Sequence, residues 1–298
     1  MRVSSNTLSE NIIRQIQQLG TQQTRLQTQV ATGQRIFQPE DDPASVGRVL
    51  ALESEQRENS QYVRNIDRAL EVSQISFAGL KNLKAASDRA TEIGVLGAGT
   101  LSDDGARAYA AEVDQLIEQT LQVANTKLRN DYIFAGTAID TPPFTATRNP
   151  AGKVTGVTYV GNSGQAEIKL SESSSIAPGT TGTTNSAISS LLNQLVALRD
   201  ALNVNSGTAV TAAQTGLITS EDALVSALAE TGGVELRIEA SRTQLTSRNE
   251  NLERLVSAEA DLDLPTTIVR LNQSQTAYQA ALQSAANIMS LSLMDYMR

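Results

Sequence analysis

Both ends of the chain combine apolar side chains at helical spacing with an almost complete lack of charge. From Thr266 to Met294 only Arg270 carries a formal charge, and from Val3 to Gln38 only Glu10 is acidic. A helix on the surface of a soluble domain normally carries charge on its solvated face. The many Gln, Asn and Ser residues make these segments too polar to span a bilayer. Two nearly neutral, amphipathic ends therefore predict a chain that polymerises through its termini.

An apolar heptad repeat runs through each end. The first seam consists of Ile12, Ile16, Leu19, Leu26 and Val30, with Gln23 at its polar position. The last seam consists of Ile268, Leu271, Tyr278, Leu282, Ala285 and Met289. Alternating four- and three-residue spacing is typical of helices that pack along one another. We therefore expect the first segment to lie antiparallel against the last.

A seam of this kind forms an intramolecular core more often than a polymer interface. Two features favour an interface here. The faces outside the seams carry very few charges, and these segments are the two chain ends, which usually fray. Isolated helices with thin seams are marginal in water, so their folding is expected to be coupled to assembly. The predicted assembly interface consists of Leu8, Ile12, Ile16, Leu19, Leu26, Val30, Ile268, Leu271, Tyr278, Leu282, Met289, Leu291, Leu293 and Tyr296.

Capping signals divide the rest of the chain into helices. Pro39 ends the first helix, and Asp42 and Pro43 supply the N-cap and the first position of the second. Ser102 and the two acidic residues after it begin a third helix. Further predicted helices cover Ser186–Asn203, the stretch from about Thr219 to Ala260, and the terminal segment opened by Asp263 and Pro265.

The sequence changes character between these helices. Thr141–Phe144 contains two prolines and cannot be helical. Val154–Val160 and Ala166–Leu170 are predicted strands, and Ser171–Asn185 is a predicted loop. The predicted fold is mostly α, an elongated antiparallel helical bundle with a terminal coiled coil and a small β-rich insertion at its tip. Its predicted domains are the terminal helices 1–45 and 260–298, the bundle core 46–134 and 186–259, and the outer insertion 135–185.

The composition argues against catalysis. The chain has no histidine and no cysteine, which excludes Ser-His-Asp and Cys-His catalysis and the usual zinc ligand sets. Its acidic pairs stand where helices begin, as expected of caps. The spacing of Asp261 and Asp263 matches no EF-hand calcium loop. We therefore predict that the protein is not an enzyme and has neither a cofactor nor a metal site.

Charge and the N-terminal sequence limit the partners and the location. A net charge of -8 and an aromatic content of 3% argue against nucleic acid, and the same charge argues against anionic membranes. The N-terminus lacks the charged-then-apolar pattern of a secretory signal. The chain is therefore expected to be cytoplasmic, or to be exported by a route without a cleaved signal.

Several motifs resemble bacterial flagellins and the related proteins of the hook–filament junction. Thr32–Ile36 followed by Asp41–Ala44 resembles the N-terminal flagellin motif, and Ala111–Thr126 resembles the third helix of the flagellin core. Tyr132–Phe144 and the ending from Gln275 to Leu293 resemble the junction proteins more closely. The likeness covers both ends and most of the helical body, but not 145–185. The motif residues are Gly33, Arg35, Asp41, Asp42, Pro43, Phe134, Gly136, Pro143 and Phe144.

The resemblance implies a non-enzymatic structural subunit that joins hook to filament. Family members leave the cell unfolded through the flagellar type III export channel, guided by an uncleaved N-terminal signal and a cytoplasmic chaperone. Their termini line the inner tube of the flagellum. The implied partners are copies of the same chain in a ring, the first hook-associated protein on the proximal side and flagellin on the distal side. The implied location is the secreted flagellum, at the hook–filament junction.

Three alternatives stay open. Pro43 replaces the usual Ala of flagellins, and Leu293–Arg298 replaces a Leu-Leu-Arg tail; both differences favour a junction protein over a filament-forming flagellin, which is the first alternative. Another type III-exported protein, such as a needle-tip protein or a helical adhesin, is the second, although a tip protein would not need the Thr32–Ala44 motif. An enzyme is the third and has the least support.

Overall fold

Long helices flank a short β-rich stretch in the computed structural model, which describes the backbone of residues 2–296 and the side chains of residues 10–288. The helices are α1 (Arg2–Thr32), α2 (Pro43–Gly97), α3 (Asp103–Ala124), α4 (Gly182–Asn203), α5 (Gly207–Ala260) and α6 (Leu264–Tyr296). Across these residues, no helix has the length and hydropathy that crossing a membrane requires.

The starts of α2 and α6 coincide with the predicted caps. Asp42 accepts a hydrogen bond from the Ser45 N–H at 3.1 Å, and Pro43 is the first residue of α2. Asp263 accepts a hydrogen bond from Thr266 Oγ1 at 2.7 Å immediately before α6. Caps of this kind pair groups that the first helical turn cannot pair internally. The sequence therefore determines locally where these two helices begin.

Helix α5 begins at Gly207 and not near Thr219 as predicted. The Thr and Gly residues of this stretch have weak helix propensity. Val210, Ala213 and Leu217 nevertheless stand at three- and four-residue spacing, and each is at most 4% exposed. Packing of this stripe into the core outweighs local propensity, because most helical stability in proteins comes from tertiary burial.

The chain divides into a terminal unit, Met1–Glu58 with Arg248–Arg298, and a body unit, Asn59–Ser247. In the terminal unit, α1 and α6 pack along each other. Two contacts show that the helices run antiparallel, as predicted. The Arg35 N–H donates to the Ala260 carbonyl at 2.7 Å, and a Cβ atom at Gly20 would lie 3.5 Å from the Tyr278 ring.

The body unit contains the apolar core. Helix α3 packs against α4, and Leu191, Leu192 and Leu195 of α4 are fully buried. These side chains belong to a large cluster that includes residues of α2, α3 and α5. A second, smaller cluster consists of Ile66, Ala69, Leu170, Ile176 and Ile238.

Three two-stranded antiparallel sheets lie between α3 and α4 in the described part of the chain. The strands are β1 (Lys127–Leu128) paired with β2 (Asp131–Tyr132), β3 (Phe144–Arg148) paired with β4 (Val154–Tyr159), and β5 (Ile168–Lys169) paired with β6 (Ser175–Ile176). The predicted strands at 154–160 and 166–170 are therefore present in shorter form. Each pairs with a strand that the sequence did not indicate.

The prediction of a loop over Ser171–Asn185 is wrong at two places. The first is β6, whose two residues are too few to show an alternating pattern. The second is α4, which begins at Gly182 because Thr181 Oγ1 accepts a hydrogen bond from the Thr184 N–H at 3.2 Å. A run of Ser, Thr and Gly suggests a loop, yet the same residues are good N-caps.

Candidate assembly site

The motif loop, residues 33–42, connects α1 to α2 and carries four of the predicted motif residues. Gly33 has a φ of +72°, a left-handed conformation that glycine adopts without steric cost and that commonly follows a helix C-terminus. Its N–H donates to the Gln29 carbonyl at 2.8 Å, which closes the end of α1. Glycine therefore suits the position where the chain leaves α1.

Arg35 ties the motif loop to α2 and α5. Its guanidinium donates to the Glu259 carbonyl oxygen at 2.8 Å and to Ser45 Oγ at 3.2 Å, and it lies 3.4 Å from the Asp42 carboxylate. A planar guanidinium presents several donors in a fixed arrangement, which suits contacts with separate chain segments. One side chain thus joins the motif loop, the start of α2 and the end of α5.

Asp41 organises the second half of the motif loop. Its carboxylate accepts hydrogen bonds from the N–H groups of Gln38 and Phe37, each at 3.1 Å, and it pairs with Arg25 of α1 at 2.9 Å. The two backbone donors, together with the nearby Arg25 charge, hold the pKa of Asp41 below its ordinary value of 3.8. The loop is therefore built around an ionised carboxylate.

Asp42 and Glu259 are also held in their ionised forms. The Ser45 hydroxyl donates to Asp42 at 2.5 Å, and this bond, with the Ser45 N–H, lowers the pKa of Asp42. Arg48 donates to the two Glu259 oxygens at 3.1 and 2.9 Å, which lowers the pKa of Glu259 below 4.5. Hydrogen bonds between charged groups hold this site together.

The α1 seam lies where the heptad pattern predicted it. Ile12, Ile16, Leu19, Leu26 and Val30 are all partly buried, and so is Gln23 at the polar position. The residues between them are mostly exposed. In the described chain none of these apolar side chains is fully buried, so α6 covers the seam only in part.

The α6 seam is shifted by one residue at alternate positions. The covered residues follow a four-three spacing, and Leu271, Tyr278 and Ala285 are among them as predicted. The predicted positions Ile268 and Leu282 are 44% and 45% exposed and lie beside the seam. Small or polar residues take the intervening positions. The seam residues are Thr267, Leu271, Ser274, Tyr278, Ala281, Ala285 and Ile288, and Gln275 beside the seam is also partly buried.

Five predicted interface residues lie outside the described side chains. They are Leu8, Met289, Leu291, Leu293 and Tyr296. Their place in the assembly interface stays a prediction, as does the role of the seam residues above.

Four motif residues lie in the body unit. Phe134 is fully buried, and a Cβ atom at Gly79 would lie 2.8 Å from its ring. Phe144 is 2% exposed, and the Asn125 side chain binds both its N–H and its carbonyl, at 3.1 and 3.0 Å. Pro143 is buried. Gly136 has a φ of +70°. Phe134, Pro143 and Phe144 therefore lie in the interior of the body unit, and Gly136 is partly buried.

The acidic residues that the sequence singled out have structural partners. Asp261 accepts a hydrogen bond from Ser257 Oγ at 2.5 Å, and Asp263 caps α6 through Thr266. Asp103 accepts one from Asn205 Nδ2 at 2.8 Å. Among the described residues, no group of three or more acidic side chains is arranged to hold a metal ion.

Sequence reasoning missed the polar partners of the motif loop. Ser45, Arg48 and Glu259 form no recognisable motif, and Glu259 is separated from Arg48 by most of the chain. It also missed Thr267 and Ser274, since a count of apolar residues passes over polar ones. Their spacing from Leu271 and Tyr278 was the signal that could have revealed them.

Comparison with known proteins finds similarity to flagellar proteins over part of the chain. Residues 3–138 match the bacterial flagellin N-terminal helical region. Flagellar hook-associated protein 3 of Escherichia coli K12 is 31% identical over 184 residues, which cover 61% of this chain and 56% of that protein. Its counterpart from Salmonella typhimurium LT2 is 31% identical over 146 residues, covering 48% of this chain and 46% of that protein. The chain thus spans about half the length of the curated relatives it matches.

The structural comparison concerns the fold. The crystal structure of Bacillus cereus FlgL matches with a TM-score of 0.61 and 20% identity, covering 70% of this chain and 99% of that one. This confirms the predicted class of a helical bundle with a small β-rich insertion. Residues 3–138 are therefore similar to the N-terminal helical region of bacterial flagellins, and the fold is similar to that of Bacillus cereus FlgL. In sequence the chain is similar to flagellar hook-associated protein 3, as its motifs indicated.

Proposed function

We propose that this chain is a structural subunit of the bacterial flagellum that joins the hook to the filament. The observation that carries the proposal is the pairing of a flagellin N-terminal region with relatives named flagellar hook-associated protein 3. The terminal helix pair supports it, because its seams are only partly covered within one molecule. No catalytic role is part of the proposal.

The proposed partners follow from this position. Copies of the chain form a ring, the first hook-associated protein contacts the proximal side and flagellin adds to the distal side. Before export, a cytoplasmic chaperone holds the chain unfolded, and the type III channel secretes it without cleavage. The proposed location is the hook–filament junction outside the cell.

The proposed division of labour follows the predicted domains. The terminal helices 1–45 and 260–298 assemble, the bundle 46–134 and 186–259 surrounds them, and the insertion 135–185 faces outward. Ordering a residue costs about 1–2 kcal/mol, whereas burying a large apolar side chain contributes about 1.5–3 kcal/mol. Partly covered seams offset little of the ordering cost alone, so neighbouring copies supply the remaining burial. Growth from an existing hook end is therefore fast, and spontaneous assembly is slow.

Electron microscopy of a deletion strain tests the proposal. We expect cells without this chain to carry hooks but no filaments and to release flagellin into the medium. Complementation with the intact gene should restore filaments. Normal filaments in the deletion strain would refute the proposal.

A filament-forming flagellin is the second candidate, because the same N-terminal region occurs there. The purified chain distinguishes the two. Long polymers of the chain alone would favour a flagellin, whereas a protein that stays small until hook ends are added would favour the junction role.

A further inference from the structure

A cavity of about 550 Å³ lies in the body unit, between α2 and the segment that leads into β5. Ligand sites in proteins have volumes of roughly 300–1,000 Å³ and a mostly apolar lining with a few polar groups. This cavity has that character, and the proposed role at the hook–filament junction assigns no function to it. Its apolar lining includes Val72, Leu128, Ile133, Ile139, Ile168 and Pro178.

One wall of the cavity is the backbone of residues 164–169, which ends in β5. Strand β5 pairs with β6 and with no other strand of the described chain. Beyond β5, the Leu170 N–H donates to the Ser174 carbonyl at 2.9 Å. Hydrogen-bonded and non-hydrogen-bonded residue pairs alternate along an antiparallel ladder. The backbone groups of Glu167 and Lys169 therefore point away from β6, and these two residues form the free edge of the hairpin.

A hydrogen bond to α2 shows that the free edge faces the cavity. The Asn65 side chain, which lines the cavity, donates to the Lys169 carbonyl at 3.0 Å. In the described part of the chain, the N–H groups of Gln165, Ala166 and Glu167 donate to no protein acceptor. An unpaired strand edge is a template for a further strand, and the addition of an extended peptide to such an edge is a recurrent mode of recognition. The free edge is therefore suited to bind a peptide backbone.

Burial holds the free edge in place. Leu170, directly after β5, and Ile176 of β6 are 3% and 5% exposed and belong to one apolar cluster with Ile66 of α2. Before β5, Gln165 Nε2 donates to the Gly179 carbonyl at 3.2 Å. A peptide thus meets an edge that is already ordered, which reduces the entropic cost of binding.

The basic side chains of the lining favour an acidic peptide. Arg68, Arg129 and Lys169 line the cavity, and all three are exposed. Arg129 pairs with Glu71 at 2.9 Å. Among the described residues, Arg68 and Lys169 have no ion-pair partner. Two positive charges beside the free edge are therefore available to a ligand.

The acidic side chains of the lining offset these two charges only in part. Glu71 is bound to Arg129, and Glu167 accepts a hydrogen bond from Ser175 Oγ at 2.6 Å. Asp131 is the acidic lining residue whose side chain has no partner in the described part of the chain. Two available cations against one available carboxylate leave a local positive excess in a chain of net charge -8. Carboxylates brought to this place are attracted to it.

We propose that this cavity binds an extended segment of a partner protein in which apolar and acidic residues alternate. The backbone of the segment pairs with the free edge at Glu167 and Lys169. Side chains of a strand alternate between two faces. The apolar residues therefore contact the apolar lining, and the acidic residues on the other face reach Arg68 and Lys169. Binding requires no assembly of this chain into a flagellum, so the dilute purified chain shows it.

Isothermal titration calorimetry of the purified chain with synthetic peptides tests the proposal. The ligand is acetyl-Val-Glu-Val-Glu-Val-Glu-Val-amide, and the same peptide with Lys in place of Glu is the matched control. The acidic peptide should bind, and the basic peptide should bind much more weakly because it brings like charges beside Arg68 and Lys169. When the acidic peptide is bound, hydrogen exchange of the Glu167 and Lys169 amides should slow.

Two proline variants test the backbone contact. Glu167→Pro removes an N–H group that faces the cavity, and it should weaken binding of the acidic peptide about three- to tenfold. The variant also removes a negative charge, which by itself would strengthen binding of an acidic peptide. Ala166→Pro is the matched control, because its N–H points to the opposite side of the same segment, and binding should change less than about twofold.

A second pair of variants tests the charge contact and keeps the fold intact, since the side chains are exposed. Arg68→Gln combined with Lys169→Gln should weaken binding of the acidic peptide about three- to tenfold. Lys81→Gln combined with Arg107→Gln removes the same net charge outside the cavity and should change binding less than about twofold.

Several results would overturn the proposal. One is no binding of the acidic peptide at about 1 mM, and another is equal binding of the basic peptide. Equal losses from the two proline variants, or from the two charge variants, would show that the cavity is not where the peptide binds. Octanoate that binds as tightly as the acidic peptide, with an affinity that Glu167→Pro leaves unchanged, would assign the cavity to small amphipathic anions instead.

Discussion

The two units of the molecule are stabilised in different ways. Both apolar clusters lie in the body unit, where all four core helices contribute fully buried side chains. Among the described side chains of the terminal unit, Leu252 and Ala285 are the only buried apolar ones. Helices α1 and α6, with 31 and 33 residues, are longer than α3 and α4 with 22 each, so helix length does not explain the contrast.

In the terminal unit, hydrogen bonds and ion pairs make many of the contacts that hold the motif loop in place. The motif loop depends on hydrogen bonds of Arg35, Asp41 and Asp42, and Arg48 pairs with Glu259. Exposed ion pairs contribute little to stability, typically about 0–1 kcal/mol each. They set geometry, whereas apolar burial supplies most of the folding free energy. The body unit is therefore expected to fold by itself, and the terminal unit to gain its stability on assembly.

The largest effect is expected from deleting Thr266–Arg298, which removes α6 from the terminal unit and leaves the body unit intact. The truncated chain should be soluble, helical and monomeric, because the clusters of the body unit remain intact. It should fail completely to join hook to filament, because α1 has lost its partner. Circular dichroism and size-exclusion chromatography measure the first result, and complementation of a deletion strain measures the second. An unfolded product would show that the terminal helices are ordinary core.

A matched pair of substitutions compares the units directly. Leu192→Ala empties a fully buried site in the body unit and should cost about 2–5 kcal/mol of unfolding free energy. Leu271→Ala, at a partly buried site of α6, should cost about 1 kcal/mol or less in the dilute monomer, since only part of the side chain leaves water. Urea denaturation followed by circular dichroism measures both values.

In assembly, Leu271→Ala should be the more harmful of the two substitutions, although it costs less stability in the monomer. Leu271→Ala is expected to reduce incorporation into flagella, whereas Leu192→Ala should incorporate normally at temperatures where it stays folded. Quantitative immunoblots of isolated flagella measure incorporation. Equal costs for the two variants in the monomer would contradict the proposed difference between the units.

Local and periodic signals predicted most of the fold. Asp42 and Pro43 predict the start of α2 because N-capping depends only on the few residues at the beginning of a helix. The α1 seam was predicted because a heptad repeat of large apolar residues places them on one face of the helix, where they pack against another helix. The early start of α5 at Gly207 was not found, because burial of Val210 and Leu217 depends on residues far along the chain.

The candidate site was less predictable than the fold. Arg35 was recognised by resemblance, but its contacts with Ser45 and the Glu259 carbonyl arise only once α2 and α5 are placed. The α6 seam was predicted one residue out at Ile268 and Leu282. At these two positions large apolar residues were expected to face α1, whereas the structure places Thr267 and Ala281 there. Apolar size alone therefore does not tell a seam position from an exposed one.

A smaller effect is expected at Ser274 in the α6 seam. Ser274 is 8% exposed, and its hydroxyl is buried without a hydrogen-bond partner. Ser274→Ala removes that unpaired group and introduces a better helix former. The terminal helix pair should therefore gain about 1 kcal/mol, measured by hydrogen exchange of α1 and α6 amides. Ser284→Ala, at an exposed position of the same helix, is the control and should change exchange much less. Faster exchange in Ser274→Ala would indicate a hydrogen bond to that hydroxyl.

The smallest effect is expected from acid, and it should be concentrated in the motif loop. The pKa values of Asp41 and Asp42 are lowered below 3.8 in the folded chain. A carboxyl group with a depressed folded pKa stabilises the structure above its unfolded pKa, and that contribution is lost as pH falls through the folded pKa. The loop should therefore be unaffected between pH 7 and about pH 5. It should loosen progressively as the pH falls below the ordinary pKa of the aspartate carboxyl groups.

Amide chemical shifts of Phe37, Gln38 and Ser45 report this loosening, because these groups donate to the two carboxylates. They should move together as the pH falls below the ordinary aspartate pKa of 3.8. Asn is also a good N-cap, so Asp42→Asn should keep the start of α2 while abolishing the acid-dependent shift at Ser45. The Asp41 response at Phe37 and Gln38 should persist in that variant. If the Ser45 shift persisted unchanged in Asp42→Asn, the Asp42 carboxylate would not be the group that responds to acid. The start of α2 would then be stabilised by the capping hydrogen bond alone, without a contribution from the charge of Asp42.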